Sequence, residues 1–342
     1  MVPYPIRPRL RVAGWKGPMT EKPRSELPIV KQPDPEEFQF DLNHASDSIV
    51  ALQAIVPADA FTAPILGTER GGSGVVIRDS GLVLTIGYLI TEAESIWLTA
   101  ADGRVTPAHA LGYDQETGFG LVQALGKLGL PALELGRSSA VEPGDPVLVA
   151  GGGKRQSMRA RVVAKQEFAG YWEYLLDEAI FTAPAHPFWG GTGMIGQDGK
   201  LLGIGSLNVQ QTSAKGPPRD INMMVPIDLL PPILDDLLAY GRVNKPPRPW
   251  LGLYSAESDG RILVAEVVEQ GPAASAGMRQ GDIISAVRDA SVANLGEFYR
   301  KVWSSGPAGT EIPIEVVRDK RALWLRVKSA DRGSYLKAPR LQ

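Results

Sequence analysis

Gly72-Ser73-Gly74-Val75-Val76-Ile77, followed at once by Gly81-Leu82-Val83-Leu84-Thr85, decides the fold. Both runs are short, apolar and rich in β-branched residues, which suits a buried strand and is too brief for one face of a helix. Similar runs recur at 49–56, 95–100 and 105–111, then at 132–135, 146–149, 158–166, 173–182, 201–207 and 221–225. Asp102-Gly103 and Asp198-Gly199 fall between such runs, and both residue types tolerate the positive φ that a two-residue hairpin needs. Gly (38 residues) and Pro (28) are frequent, as many strands joined by tight turns require. Strands this close together, with few helical periods between them, predict an all-β barrel or sandwich.

Beyond these strands the pattern changes. Pro231 and Pro232 suit a first helical turn, Leu234, Leu237 and Leu238 share a face, and Gly241 marks the stop. The segment 244–249, Asn-Lys-Pro-Pro-Arg-Pro, is a stiff linker and a domain boundary. A smaller unit follows, with strands expected at 262–268, 312–318 and 323–327 and a helix at Leu295–Trp303. The chain therefore divides into an extended Pro-rich segment (1–44), a β domain (45–243), a second domain (249–330) and a tail (331–342).

Composition bounds the possibilities. The 342 residues suit about two domains. The 44% hydrophobic and 22% charged content is that of an ordinary folded protein. A net charge of −2 supplies no global field for nucleic acid. No run approaches the ~20 apolar residues of a membrane span. Cys is absent, which excludes disulfides and thiolate metal sites, and His44, His109 and His186 are scattered without metal-ligand spacing. No cofactor is expected. Residues 1–32 carry seven Lys/Arg against two Glu, either as an extension with no fixed fold or as an anionic-partner contact. They lack an apolar signal core. The expected location is cytoplasmic, or periplasmic if a leader precedes this sequence.

Taken together, several motifs resemble the HtrA/DegP family of trypsin-fold serine proteases with a C-terminal PDZ domain. They are the runs at 72–77 and 81–85, then 101–104, 141–147 and 197–204, and Val225-Pro226-Ile227-Asp228. In the second half Trp250-Leu251-Gly252-Leu253, Gly271-Pro272-Ala273-Ala274 and Gly281-Asp282-Ile283-Ile284 look like PDZ signatures. The resemblance implies a mainly β architecture, a trypsin-like double six-stranded β-barrel followed by a small α+β PDZ domain.

It also implies where a Ser-His-Asp triad would stand. The histidine follows a strand ending in Val-Thr, and that place holds Tyr88. The aspartate precedes a short apolar strand, and that place holds Gly118. The serine lies in Gly-Asn-Ser-Gly-Gly, and that place is Gly190. All three catalytic side chains are absent on this alignment, and Phe188, Trp189 and Gly191 form the former oxyanion and specificity loop. Thr192, Ser206 and His186 are the neighbouring groups that could replace them, with a turn threonine and a surface loop histidine as the plainer expectation. Asp114 and Glu116 are expected to be exposed loop carboxylates. Phe188 and Trp189 could plug the old pocket, form a sticky surface with Trp172 and Tyr174, or simply pack in the core.

For the PDZ half the resemblance implies that Trp250, Leu251, Gly252 and Leu253 present backbone N–H groups to a C-terminal carboxylate. Ile262 and Val264 would lie on the strand that pairs with the peptide, and Phe298 and Val302 on the helix forming the other wall. The groove is either open to peptide or docked and structural. The expectation is thus a protein that is not an enzyme: a non-catalytic HtrA-like module binding protein or peptide C-termini, for scaffolding or regulation. The alternatives are an active serine-type endopeptidase with rewired residues and a chaperone-like holding subunit. Family members commonly form trimers, and Phe38 and Phe40 could serve such a contact.

Overall fold

A computed structural model describes residues 9–12, 33–152, 156–213, 216–258 and 260–337. Apart from β1 (Arg9–Val12), the basic segment over 1–32 lies outside them. The described residues divide into two units, those up to 166 with 178–243, and 167–177 with 244–337.

In the first unit α1 (Leu42–Asp47) begins at Asp41, whose carboxylate accepts from the Asn43 and His44 N–H groups. β2 (Ile49–Ile55), α2 (Ala63–Leu66), β3 (Glu69–Arg78), β4 (Leu82–Ile86), β5 (Ser95–Thr99), β6 (Val105–Tyr113) and β7 (Phe119–Ala124) follow. The six strands close a barrel in the order β2-β3-β4-β7-β6-β5. Asp102-Gly103 turns between β5 and β6, as expected. Every residue of β4 is buried, and Val75, Leu84, Leu98, Phe119 and Leu121 fill the interior. Closure leaves no strand edge in this barrel to bond with another chain.

A second ring follows from β8 (Pro146–Ala150), β9 (Ser157–Gly170), β10 (Tyr174–Ala183), β11 (Gly193–Ile195), β12 (Leu201–Ser213) and β13 (Gly216–Pro226). Its order is β12-β11-β8-β9-β10-β13, closed by the β12–β13 pairing, with β1 added along residues 209–212 of β12. These are the two six-stranded barrels expected of a trypsin-like fold. The run at 132–135 is not a strand; it joins the sheet through one isolated bridge, Leu135 to Leu201. α3 (Pro231–Tyr240) buries Leu237 and stops at Gly241, whose φ of 69° is left-handed.

In the second unit β14 (Leu253–Ser258), β15 (Arg261–Val267), α4 (Pro272–Ser275), β16 (Ile283–Val287), β17 (Ala290–Ser291), α5 (Leu295–Trp303), β18 (Glu311–Arg318) and β19 (Arg321–Lys328) form a PDZ-type α+β unit. The sheet order is β14-β15-β16-β18-β19, so β14 is an edge strand. Asn294 caps α5 by accepting from the Glu297 N–H, and the helix buries Phe298, Tyr299 and Val302 against Leu251, Leu253 and Ile312. Asp282 is held by Arg318 at 2.7 Å. The expected tail is partly built in: Asp331 caps a single turn over Arg332–Tyr335, and the Tyr335 ring lies 4.8 Å from that of Trp250. Residues 167–177, expected inside the first domain, group instead with this unit.

Phe119 sits fully buried in the first barrel. Phe119→Ala is expected to destabilise that barrel by about 3–5 kcal/mol through lost burial and the cavity left behind. Hydrogen exchange in urea would show earlier opening of the first barrel with residues 250–330 unchanged.

Candidate functional site

Two places in the structure collect chemistry-bearing groups, one in each unit. In the first, the turn Gly87–Leu89 after β4 carries Tyr88. A buried guanidinium fixes this turn: Arg70 donates to the carbonyls of Tyr88 (2.8 Å), Thr91 (2.8 Å) and Gly67 (3.2 Å) and to Thr62 Oγ1 (2.7 Å). Buried Glu92 accepts from the Phe61 and Thr62 N–H groups and from the Thr62 hydroxyl. Burial lowers the Arg70 pKa from the usual guanidinium range to about 10, opposed by the Glu92 charge.

The three positions Tyr88, Gly118 and Gly190 come together. The Gly87 N–H donates to the Gly118 carbonyl at 2.7 Å, and a Cβ built on Gly190 would lie 2.7 Å from Tyr88 Oη. Tyr88 Oη donates to the Ser206 carbonyl at 2.9 Å, and burial pushes its pKa well above the usual 10, opposed by the Trp189 side chain. A phenol so held is a poor general base at neutral pH. The Gly190 carbonyl accepts from the Ser73 N–H at 2.8 Å, and the Gly191 N–H donates to the Gly205 carbonyl at 2.8 Å. Gly191 has a φ of 77°, and a Cβ there would collide with the Ser73 carbonyl oxygen, so only glycine fits.

His186 is buried, against the surface position expected for it. Its N–H donates to Asn222 Oδ1 at 2.5 Å, and Nε2 lies 2.6 Å from the Gln156 carbonyl. Nδ1 receives the Phe188 N–H at 3.1 Å. A carbonyl only accepts and a backbone N–H only donates, which assigns the neutral tautomer protonated at Nε2. Both ring nitrogens are thereby used, and Phe188 N–H is turned inward to the imidazole. Thr192 is buried as well, its hydroxyl donating to the Trp189 carbonyl at 3.0 Å. Asp114 is not an exposed loop carboxylate: it is buried and accepts from the Thr117 N–H and hydroxyl, both at 2.8 Å. Glu116 is half-buried. Phe188 and Trp189 are half-buried in the first unit, whereas Trp172 and Tyr174 stack on each other (5.5 Å) in the second, where Tyr174 is buried.

The second place is the loop ahead of β14. The N–H groups of Leu251, Gly252 and Leu253 converge on one carboxylate, that of Glu173, at 3.0, 2.8 and 3.0 Å. Burial raises the Glu173 pKa from 4.5 to about 7, opposed first by these three N–H groups and then by Arg332. Trp250 is buried against Tyr335, outside this cluster of donors. Ile262 and Val264 do not line an edge. They sit on β15, interior to the sheet and buried in the core, because the edge is taken by β14. Phe298 and Val302 likewise pack inward from α5. Sequence reasoning missed Glu173 and β14. The signal available was a lone acid inside the aromatic turn Tyr171-Trp172-Glu173-Tyr174.

Comparison with known proteins matches a trypsin-like peptidase domain over residues 72–204 and a PDZ domain over 249–328. The serine endoprotease DegS of Escherichia coli K12 is 28% identical over 275 residues, covering 75% of this chain and 75% of the relative. A probable periplasmic serine endoprotease, DegP-like, of Pseudomonas fulva is 26% identical over 270 residues, covering 75% of this chain and 55% of the relative. Among solved structures, the HtrA-type protease AlgW with decapeptide superposes with a TM-score of 0.52 at 24% identity, covering 87% of this chain and 98% of that one, a likeness of fold. The expectation of a protein that is not an enzyme is corrected by these relatives, which are named serine endoproteases and point to a protease.

Burial lowers the His186 pKa from its ordinary 6.5, opposed by its bonds to Gln156 and Phe188. A depressed value in the folded state means that its contribution to stability is present above pH 6.5 and is lost as pH falls through the folded value. Urea midpoints between pH 7.5 and 5 are expected to fall with acidification, and more shallowly in His186→Gln.

Proposed function

We propose, for a chain that belongs to the HtrA-like family of trypsin-fold proteases with a PDZ domain, that its function is to bind protein or peptide C-termini for scaffolding or regulation. The observation that carries this is the convergence of the Leu251, Gly252 and Leu253 N–H groups beside the edge strand β14. Clustered backbone donors at a strand edge suit a carboxylate whose chain then adds to the sheet.

In this reading Tyr88, Gly118 and Gly190 stand where the family carries histidine, aspartate and serine, and Phe188, Trp189 and Gly191 form the former oxyanion loop. Hydrolysis by this chain would then proceed without that triad. The buried phenol, bonded to the Ser206 carbonyl, and the inward Phe188 N–H support the assignment. A second reading, a serine-type endopeptidase acting through other residues, is favoured by the names of the relatives. Further parts of the proposal are a periplasmic location, after the P. fulva relative, and a homotrimer contacted through Phe38 and Phe40, whose rings meet edge-on at 5.3 Å.

Fluorescence polarisation with labelled decapeptides is expected to show at least ten-fold tighter binding of free C-termini than of amidated ones; equal binding would sink the C-terminal reading. A fluorophosphonate probe is expected to label Gly190→Ser no more than the wild type, since a new side chain at 190 meets Tyr88 Oη and has no base there. Labelling of the wild type, with casein cleavage, would establish the second reading, a serine nucleophile outside position 190.

A further inference from the structure

We propose that the turn 171–173 is a built-in, displaceable occupant of the peptide groove, with the Glu173 carboxylate standing where the terminal carboxylate of an incoming chain would bind. This rests on the reading of the second unit as a C-terminus binder and adds how access to it is controlled.

The occupant reproduces the features of a bound chain end. Its carboxylate takes the three loop N–H groups, including a second contact from Leu251 at 3.2 Å. Two residues back, the Tyr171 carbonyl accepts from the Ser255 N–H at 2.8 Å. The turn therefore runs antiparallel to β14, with its carboxylate end at the loop, and covers the outer edge of the sheet as an added strand would. Leu175, two residues on, is buried in the same apolar core as Leu251, Ile262 and Phe298. Tyr299 on α5 closes the other side by donating to the Gly170 carbonyl at 2.8 Å.

Other features mark this occupancy as held in place at a cost. Glu173 has a φ of 59°, a left-handed backbone uncommon for a residue with a side chain, and glycine there would have no carboxylate to offer. The carboxyl is almost fully buried, and its raised pKa records the desolvation that opposes docking. At the base of the turn Arg300 pairs with Glu167 (2.7 Å) and Asp177 (2.5 Å), an exposed cluster of the kind that contributes little to stability. A free C-terminal carboxylate with an apolar last side chain satisfies the same donors without the strained backbone.

The test uses the full chain and fluorescein-labelled decapeptides ending in Val, Leu, Ile or Phe with a free carboxylate. Glu173→Ala is expected to bind the best of them at least ten-fold more tightly than the wild type, and Glu173→Gln to fall between. Equal affinity in wild type and Glu173→Ala would overturn the occlusion while leaving C-terminal recognition intact. Absence of binding to either protein would overturn both. A readout independent of any variant is amide exchange on the wild type with saturating peptide. Residues 170–174 are expected to lose protection while 251–255 keep theirs; unchanged protection at 170–174 with peptide bound would overturn the proposal.

Discussion

Backbone N–H and C=O groups at the edges of β-sheets are the constraint around which this protein is built. A strand edge left bare costs free energy when buried and invites other chains when exposed. The first unit closes two rings, β2 to β7 in one and β8 to β13 in the next, with β1 laid along β12 of the second. The second unit does not close: its sheet of six strands, counting β17 beside β16, ends at β14, which forms an open flank. The chain covers it with its own residues: Tyr171 pairs with Ser255, and Glu173 takes the donors of the preceding loop. The same physical need therefore produces two closed barrels and one edge that is covered by a turn.

Buried polar networks then fix what closure alone leaves free. Arg70 and Glu92 have no apolar role inside a barrel wall, yet between them they bind the carbonyls and N–H groups of the turns around residues 61–62 and 88–91. His186 and Asn222 do the same for the segment leading into Gly190, each bonding the other's backbone or side chain. Removing one member of such a network leaves its partners unsatisfied, which costs more than the net worth of each bond. The backbone path from 186 to 193 is thus set by internal bonding, with Gly191 pressed against the Ser73 carbonyl.

Much of this architecture is legible in the sequence. The apolar runs at 72–77 and 81–86 and the two Asp-Gly turns lie where the barrels need strands and hairpins. α5 spans Leu295–Trp303 as its apolar spacing indicates. What escapes is what depends on distant partners. β14, Leu-Tyr-Ser-Ala-Glu-Ser, is a polar mixture and reads as a loop; only its place beside β15 makes it a strand. His186 looks like a loop histidine because its partners, Gln156 and Asn222, are 30 and 36 residues away. Glu173 is hidden for the same reason, lying 78 to 80 residues before the N–H groups it binds. An acid among aromatics gives no periodic signal of a carboxylate receptor elsewhere in the chain.

On the proposed occupancy, the turn 171–173 is a ligand surrogate joined covalently to β9 and β10, which changes what affinity would mean for the groove. A tethered group competes at an effective concentration that does not dilute, of millimolar order for a short connection. The apparent dissociation constant of any outside chain is its intrinsic value divided by the fraction of molecules with the turn withdrawn. Weak, abundant chain ends would then be filtered out, and occupancy would begin only above a threshold set by how well the turn itself docks. The groove would then sense the quality or the local crowding of chain ends, and its set point could drift through substitutions in residues 167–177 alone, with the receptor loop untouched.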